Sequence, residues 1–226
     1  NEILKGEQMT KKNKKRNKTG NSGDTELEED TEEQEGQEPI DPFGALLSSM
    51  EKPELRTLGL FGEVNEERSS ELIIGMIMMC EEGDVEDKRL IKFYLSTYGG
   101  NADDMFALYD MMNYVKAKGY PIQTIGLGKV MSAGVLLLSS GSPGQRKIGK
   151  HCRIMIHACN AGNIGDIYNL QNEMEAINDL QEKYSNAIVE NTSLTKRQLK
   201  KLLERKVNIY LTAEEAIEYG IADEII

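Results

Sequence analysis

The 226-residue sequence has no tryptophan and only four phenylalanines. A core must therefore come mainly from Leu, Ile, Val and Met rather than from large rings. Cysteine is also scarce. Cys80, Cys152 and Cys159 are an odd number without metal-ligand spacing, which argues against a disulfide framework or a metal site and predicts reduced, partly buried thiols. No stretch approaches the ~20 apolar residues of a membrane helix. The first residues are polar and charged, without the apolar segment of a secretory signal. Together these absences predict a cytoplasmic chain with no membrane span. The formal net charge of −11 at pH 7 argues against nonspecific nucleic-acid binding by the body of the protein. A G-x-x-x-x-G-K-[ST] phosphate loop is also missing.

Apolar residues are nearly absent before about Pro53. A basic block, Lys11-Lys12-Asn13-Lys14-Lys15-Arg16-Asn17-Lys18, precedes an acidic stretch from Asp24 to Glu38. Such a segment cannot bury enough apolar area to offset its ordering entropy, so residues 1–52 are expected to form a disordered, charged tail. The basic block reads either as solvated chain or as a docking segment for RNA or a scaffold. Ile40, Phe43, Leu46 and Leu47 are the tail's apolar cluster. Residues 53–226 are expected to fold.

From Arg56 onward, strand and helix signals alternate. Thr57 to Val64 reads as a strand, and Glu66 to Cys80 as a helix capped by Asn65. Leu90 to Leu95 is a second strand, followed by a Gly-Gly turn and a helix from Asp103 to Lys118. Ile122 to Leu127 is a third strand, Ala133 to Ser139 a buried helical run, and Arg153 to His157 a fourth strand. A long polar helix is expected over Asp166 to Glu190. Thr195 with Gln198, and Thr212 with Glu215, have the spacing of capping boxes. Ile221 to Ile226 returns as a strand. This alternation predicts an α/β fold with mostly parallel pairing.

Three segments carry candidate chemistry. In Ser96-Thr97-Tyr98-Gly99-Gly100-Asn101, two glycines after a strand let a backbone approach a ligand closely, or simply make a turn. In Gly128-Lys129-Val130-Met131-Ser132-Ala133-Gly134, a serine stands between a strand and an apolar helix. Ser132 is either a helix cap or a nucleophile with oxyanion donors at hand. In Arg153-Ile154-Met155-Ile156-His157, a histidine ends an apolar strand. The only other histidine is His151, in a turn that looks exposed, so His157 is the stronger base candidate, although a structural role remains open.

In order and spacing these segments resemble the Clp proteolytic subunit family. Its S-P-G-G, G-x-A-A-S-M-G, R-x-M-I-H and L-S-A-x-E-A-x-E-Y-G-L-x-D motifs are matched here by Ser96 to Gly100, Gly128 to Gly134, Arg153 to His157 and Leu211 to Asp223. The resemblance runs from about Leu55 to the C-terminus. It implies the Clp/crotonase-like α/β fold of repeated β-β-α units, with a protruding handle helix after Gly165. It also implies a serine endopeptidase with Ser132 as nucleophile and His157 as base. The N–H groups of Gly100 and Ala133 would form the oxyanion hole, and Gly99, Asn101, Met131 and Ala158 would line the substrate path. Stacked heptameric rings, unfolded polypeptide substrates and an AAA+ unfoldase partner follow from the same resemblance. ATP would be used by that partner, and no cofactor by this chain.

The sequence also departs from the family. The third catalytic position, usually Asp, is Asn208. Tyr98 replaces the proline before the glycines, Met131 replaces a small residue, and Ala158-Cys159-Asn160 replaces the Gln-Pro loop. An asparagine can orient the histidine but cannot stabilise an imidazolium by charge. Two alternatives to a vigorous peptidase follow. One is a catalytically weak structural subunit in a mixed ring with a paralogue. The other is a phage capsid-maturation protease of the same fold, which the long charged tail suggests.

Overall fold

The computed structural model describes residues 56–81, 88–205 and 207–226. The expected tail, with both charge blocks and the Ile40 to Leu47 cluster, lies outside the described residues. The elements run β1 (Thr57–Val64), α1 (Glu66–Glu81), β2 (Ile91–Gly100), α2 (Ala102–Ala117), β3 (Ile122–Met131), α3 (Ala133–Ser139), β4 (Arg146–Ile148) and β5 (Arg153–Ile156). Then follow α4 (Ile167–Asn191), α5 (Lys196–Leu203), β6 (Ile209–Leu211), α6 (Ala213–Glu218) and β7 (Glu224–Ile225). This is the α/β architecture expected, with a mostly parallel sheet.

The sheet order is β1-β2-β3-β4-β7, every pair parallel. β3 is long enough to fork. Its first half, at Thr124 to Gly126, pairs with β4. Its last residues, Lys129 to Met131, pair with β5, which pairs antiparallel with β6. In β2 the residues Ile91, Phe93, Leu95, Thr97 and Gly99 are buried in strict alternation, the mark of a strand with one face in the core. All seven residues of α3 are buried, as expected for an apolar helix packed between layers.

Local chemistry sets the helix starts. Asn65 Oδ1 accepts the Arg68 N–H at 3.0 Å, and Asn101 Oδ1 accepts those of Asp103 and Asp104 at 2.8 and 3.1 Å. Both expected capping boxes form. α4 is exposed through its first half and buries Tyr184, Ala187 and Ile188 only near its end. It is the protruding handle.

The differences from expectation have physical causes. β2 continues to Gly100 and β3 to Met131. The Gly-Gly pair is not a turn: it stays in the sheet, opposite Glu63 and Val64 of β1. β4 was not foreseen, because Arg146-Lys147-Ile148 is too short and polar to show a period. The C-terminal strand shrinks to Glu224–Ile225, since the N–H groups of Ile221 and Ala222 turn back to Ala216 O at 2.8 and 3.3 Å.

Arg146 joins the C-terminal elements. Its Nε donates to Asp223 Oδ2 at 2.8 Å, and Nη1 donates to the carbonyls of Asn191 and Gly220 at 2.6 and 2.8 Å. A further ion pair from Nη2 to Asp223 Oδ1 completes a two-pronged contact. These hydrogen bonds hold the Asp223 carboxyl below the ordinary carboxylate range. Because that pKa is depressed, the stabilisation is present at neutral pH and is lost as pH falls through the folded-state value. Arg146→Met is expected to cost about 3 kcal/mol, since it removes a two-pronged ion pair to a partly exposed carboxylate and leaves two carbonyls without their charged donor. A thermal melt should fall by roughly 6–12 °C, and less so at acid pH.

Candidate active site

Three strand ends converge. β2 ends in Gly99-Gly100, β3 leads into Ser132, and β5 leads into His157. In parallel sheets the carboxyl ends of strands are where ligands bind. Here the fork in β3 brings Met131 opposite Met155, so Ser132, one residue on, and His157, two residues on, are brought to the same edge.

Ser132 has φ 55° and ψ −120°, and it is the only non-glycine with positive φ among the described residues. Side chains rarely tolerate this region, and it persists only where the surroundings impose it. The Ser132 N–H donates to Met155 O at 2.8 Å, and its carbonyl accepts from the Val135 N–H at 3.0 Å and the Tyr184 hydroxyl at 3.2 Å. The Ser132 side chain makes no capping bond to α3. The helix-cap alternative therefore fails. A serine on a strained strand-to-helix turn, with its hydroxyl uncommitted, has the form of a nucleophile elbow.

Gly99 explains why glycine is needed beside it. Its φ is +98°, and a Cβ there would lie 2.6 Å from Ser132 Cβ and 2.9 Å from Met131 O. Gly100, at φ +155°, would drive a Cβ into the Val64 carbonyl. The β2 backbone thus passes directly against the serine turn.

A cavity of about 470 Å³ opens at this edge. Of the residues singled out from sequence, Ser132, His157, Gly100, Ala133, Asn101 and Ala158 line it. Ala133 is the first residue of α3, so its N–H has no partner four residues back in the helix. Gly99 and Met131 are not on the cavity wall: Gly99 abuts Ser132, and Met131 is buried in β3. His157 is half-buried. Burial lowers its pKa below the ordinary histidine value, and a hydrogen bond with the Ala158 backbone partly opposes this. A neutral imidazole at pH 7 is the form that accepts a proton.

Asn208 is placed differently. The antiparallel ladder pairs Ile156 with Ile209, so the next step sets His157 across from Asn208. Asn208 is exposed, is not on the cavity wall, and no hydrogen bond joins it to His157.

A sequence profile of the Clp protease family matches residues 46–226. The ATP-dependent Clp protease proteolytic subunit 1 of Corynebacterium glutamicum is 30% identical over 173 residues, which is 76% of this chain and 79% of that protein. The chain belongs to the Clp protease family. It is a protease subunit of the Clp system.

Within this Clp protease the cavity has walls that sequence reading missed. Ile177, Leu180 and Tyr184, on one face of α4, form an apolar side. Their spacing was visible, but it reads equally well as an ordinary core stripe. Asp103 is the one carboxylate on the wall, and Tyr98, 70% exposed, stands with its ring 4.6 Å from Lys129 Nζ. Cys159 also lines the cavity. Burial raises its thiol pKa, with a backbone hydrogen bond partly offsetting this, so it stays protonated and is a poor nucleophile. Among the described residues no helix is long and apolar enough to cross a membrane.

Proposed function

We propose that this Clp family chain is a serine endopeptidase subunit that cleaves unfolded polypeptides. The observation that carries the reading is the strained, uncapped Ser132 sharing one cavity with His157, whose burial favours the neutral imidazole. Ser132 Oγ attacks the scissile carbonyl while His157 takes its proton. The N–H groups of Gly100 and Ala133 hold the oxyanion. His157 then protonates the leaving amine, and water releases the acyl group by the reverse sequence. Asn208, across the ladder from His157 but not bonded to it, orients the imidazole only when its side chain turns inward. The substrate strand runs past Asn101 and Ala158 on the cavity wall, not past Gly99 or Met131, which lie behind it.

The reading extends to assembly. Subunits stack as two heptameric rings in the cytoplasm, homomeric or mixed with a paralogue, and enclose the sites in a chamber. An AAA+ unfoldase spends ATP to feed the chamber, and this chain uses no cofactor. The decisive experiment is degradation of an unfolded protein by the purified chain, with and without candidate unfoldases and ATP. Cleavage that depends on Ser132 supports the reading. A chain that assembles but cleaves neither short peptides nor unfolded protein would overturn it.

A second reading rests on Asn208, which is exposed and unbonded to His157. It makes the chain a catalytically weak subunit that co-assembles with an active paralogue. Homomeric rings that react fully with a serine-directed probe would exclude it.

The state of His157 gives a pH prediction. The neutral form is the base, so labelling by a fluorophosphonate should rise with pH and level off. The midpoint should lie below the ordinary histidine value of about 6.5, since burial disfavours the imidazolium. A midpoint well above that value would contradict the assignment of His157.

A further inference from the structure

The handle helix touches the site at two points that the chemistry above does not use. Ile177, Leu180, Gln181 and Tyr184 recur at the spacing of one helical face. From this face the Tyr184 hydroxyl donates to Ser132 O at 3.2 Å. One turn earlier, Gln181 Oε1 accepts the Cys159 N–H at 2.7 Å. The first bond holds the main chain of the strained serine. The second holds the segment two residues beyond His157.

Both bonds are built to last. Tyr184 is 5% exposed. Burial raises its phenol pKa, so the hydroxyl remains a donor at every working pH. The Gln181 amide is fixed by its own network: its Nε2 donates to Ser185 Oγ at 3.1 Å, and the Ser185 hydroxyl donates to Gln181 O at 2.8 Å. That leaves Oε1 aimed at the Cys159 N–H. The serine turn and the histidine loop come from separate strands, and α4 is bonded to both.

We propose that Tyr184 and Gln181 are positioning residues, through which α4 fixes the nucleophile segment and the base segment relative to each other. The proposal rests on the reading of Ser132 as nucleophile and His157 as base. Neither side chain takes part in proton or acyl transfer. Their effect is on geometry, where a small displacement of reacting groups costs much of the rate.

The test uses the full chain, a fluorophosphonate probe and amide hydrogen exchange read by mass spectrometry. Tyr184→Phe keeps the ring and removes only the hydroxyl. It is expected to slow the covalent step about tenfold per folded molecule, the loss that one buried hydrogen bond converts to, with probe affinity unchanged. Exchange over residues 132–135 should quicken. Gln181→Ala should quicken exchange over residues 158–160 and also slow labelling. A Tyr184→Phe protein with parental labelling and exchange rates would overturn the proposal, as would slowing that merely tracks an unfolded fraction. Should Tyr184→Phe fold poorly, Gln181→Ala decides by the same two readouts. A parent chain that never labels counts against the serine-peptidase reading instead, and the exchange data then decide whether α4 holds the two segments.

Discussion

Ser132→Ala is expected to abolish fluorophosphonate labelling and to lower peptide hydrolysis at least about 10³-fold, while leaving the thermal midpoint nearly unchanged. The two halves of this prediction have separate grounds. The Ser132 hydroxyl makes no capping bond, so its removal leaves no partner unsatisfied in α3. The strained turn is held by main-chain bonds to Met155, Val135 and Tyr184, which alanine keeps. A stability change within about 0.5 kcal/mol follows. The rate has no such reserve. Cys159 is the other nucleophilic side chain on the cavity wall, and burial keeps its thiol protonated. Labelling of the alanine variant at the parental rate would mean that the probe reacts elsewhere, and the assignment of Ser132 would fall. Loss of both stability and labelling would point to a structural role for the hydroxyl, which its lack of a capping bond does not predict.

How far the sequence speaks depends on how local the physics is. Both capping boxes, the Asn65 cap and the buried α3 were legible because each is decided within a few residues. β1 was legible for the same reason. The glycines of β2 misled: Gly99-Gly100 has the composition of a turn, yet β1 pairs with it and the serine turn packs against it. β4 carries too few residues to show any period, and its role comes from Arg146 reaching residues as distant as Asp223. At the site, Ser132 and His157 could be named from their motifs, but not the state of either. The positive φ of Ser132 goes with main-chain bonds to Met155, across the fork in β3, and to Tyr184 of α4. Tyr184 lies 52 residues from the serine whose carbonyl it holds. No spacing rule reaches across that distance, so a three-dimensional arrangement was needed to find it.

Asn208→Asp is expected to raise the labelling rate about tenfold to a hundredfold and to move its pH midpoint upward. The ladder of β5 and β6 sets residue 208 across from His157. A carboxylate there favours the imidazolium, which forms as Ser132 gives up its proton, so the transition state gains more than the resting enzyme. The same charge raises the pKa of a histidine that burial now lowers. The neutral base is then lost at higher pH than before, and the plateau begins correspondingly later. The gain should fall short of the roughly 10⁴ that separates Asp from Asn in a fully buried triad, because residue 208 is exposed and solvent screens it. Rate and midpoint must move together. A faster enzyme with an unmoved midpoint would place the new carboxylate on the substrate rather than on His157. An unchanged rate and midpoint would remove residue 208 from the site and leave a Ser-His pair held in place by the main chain and α4.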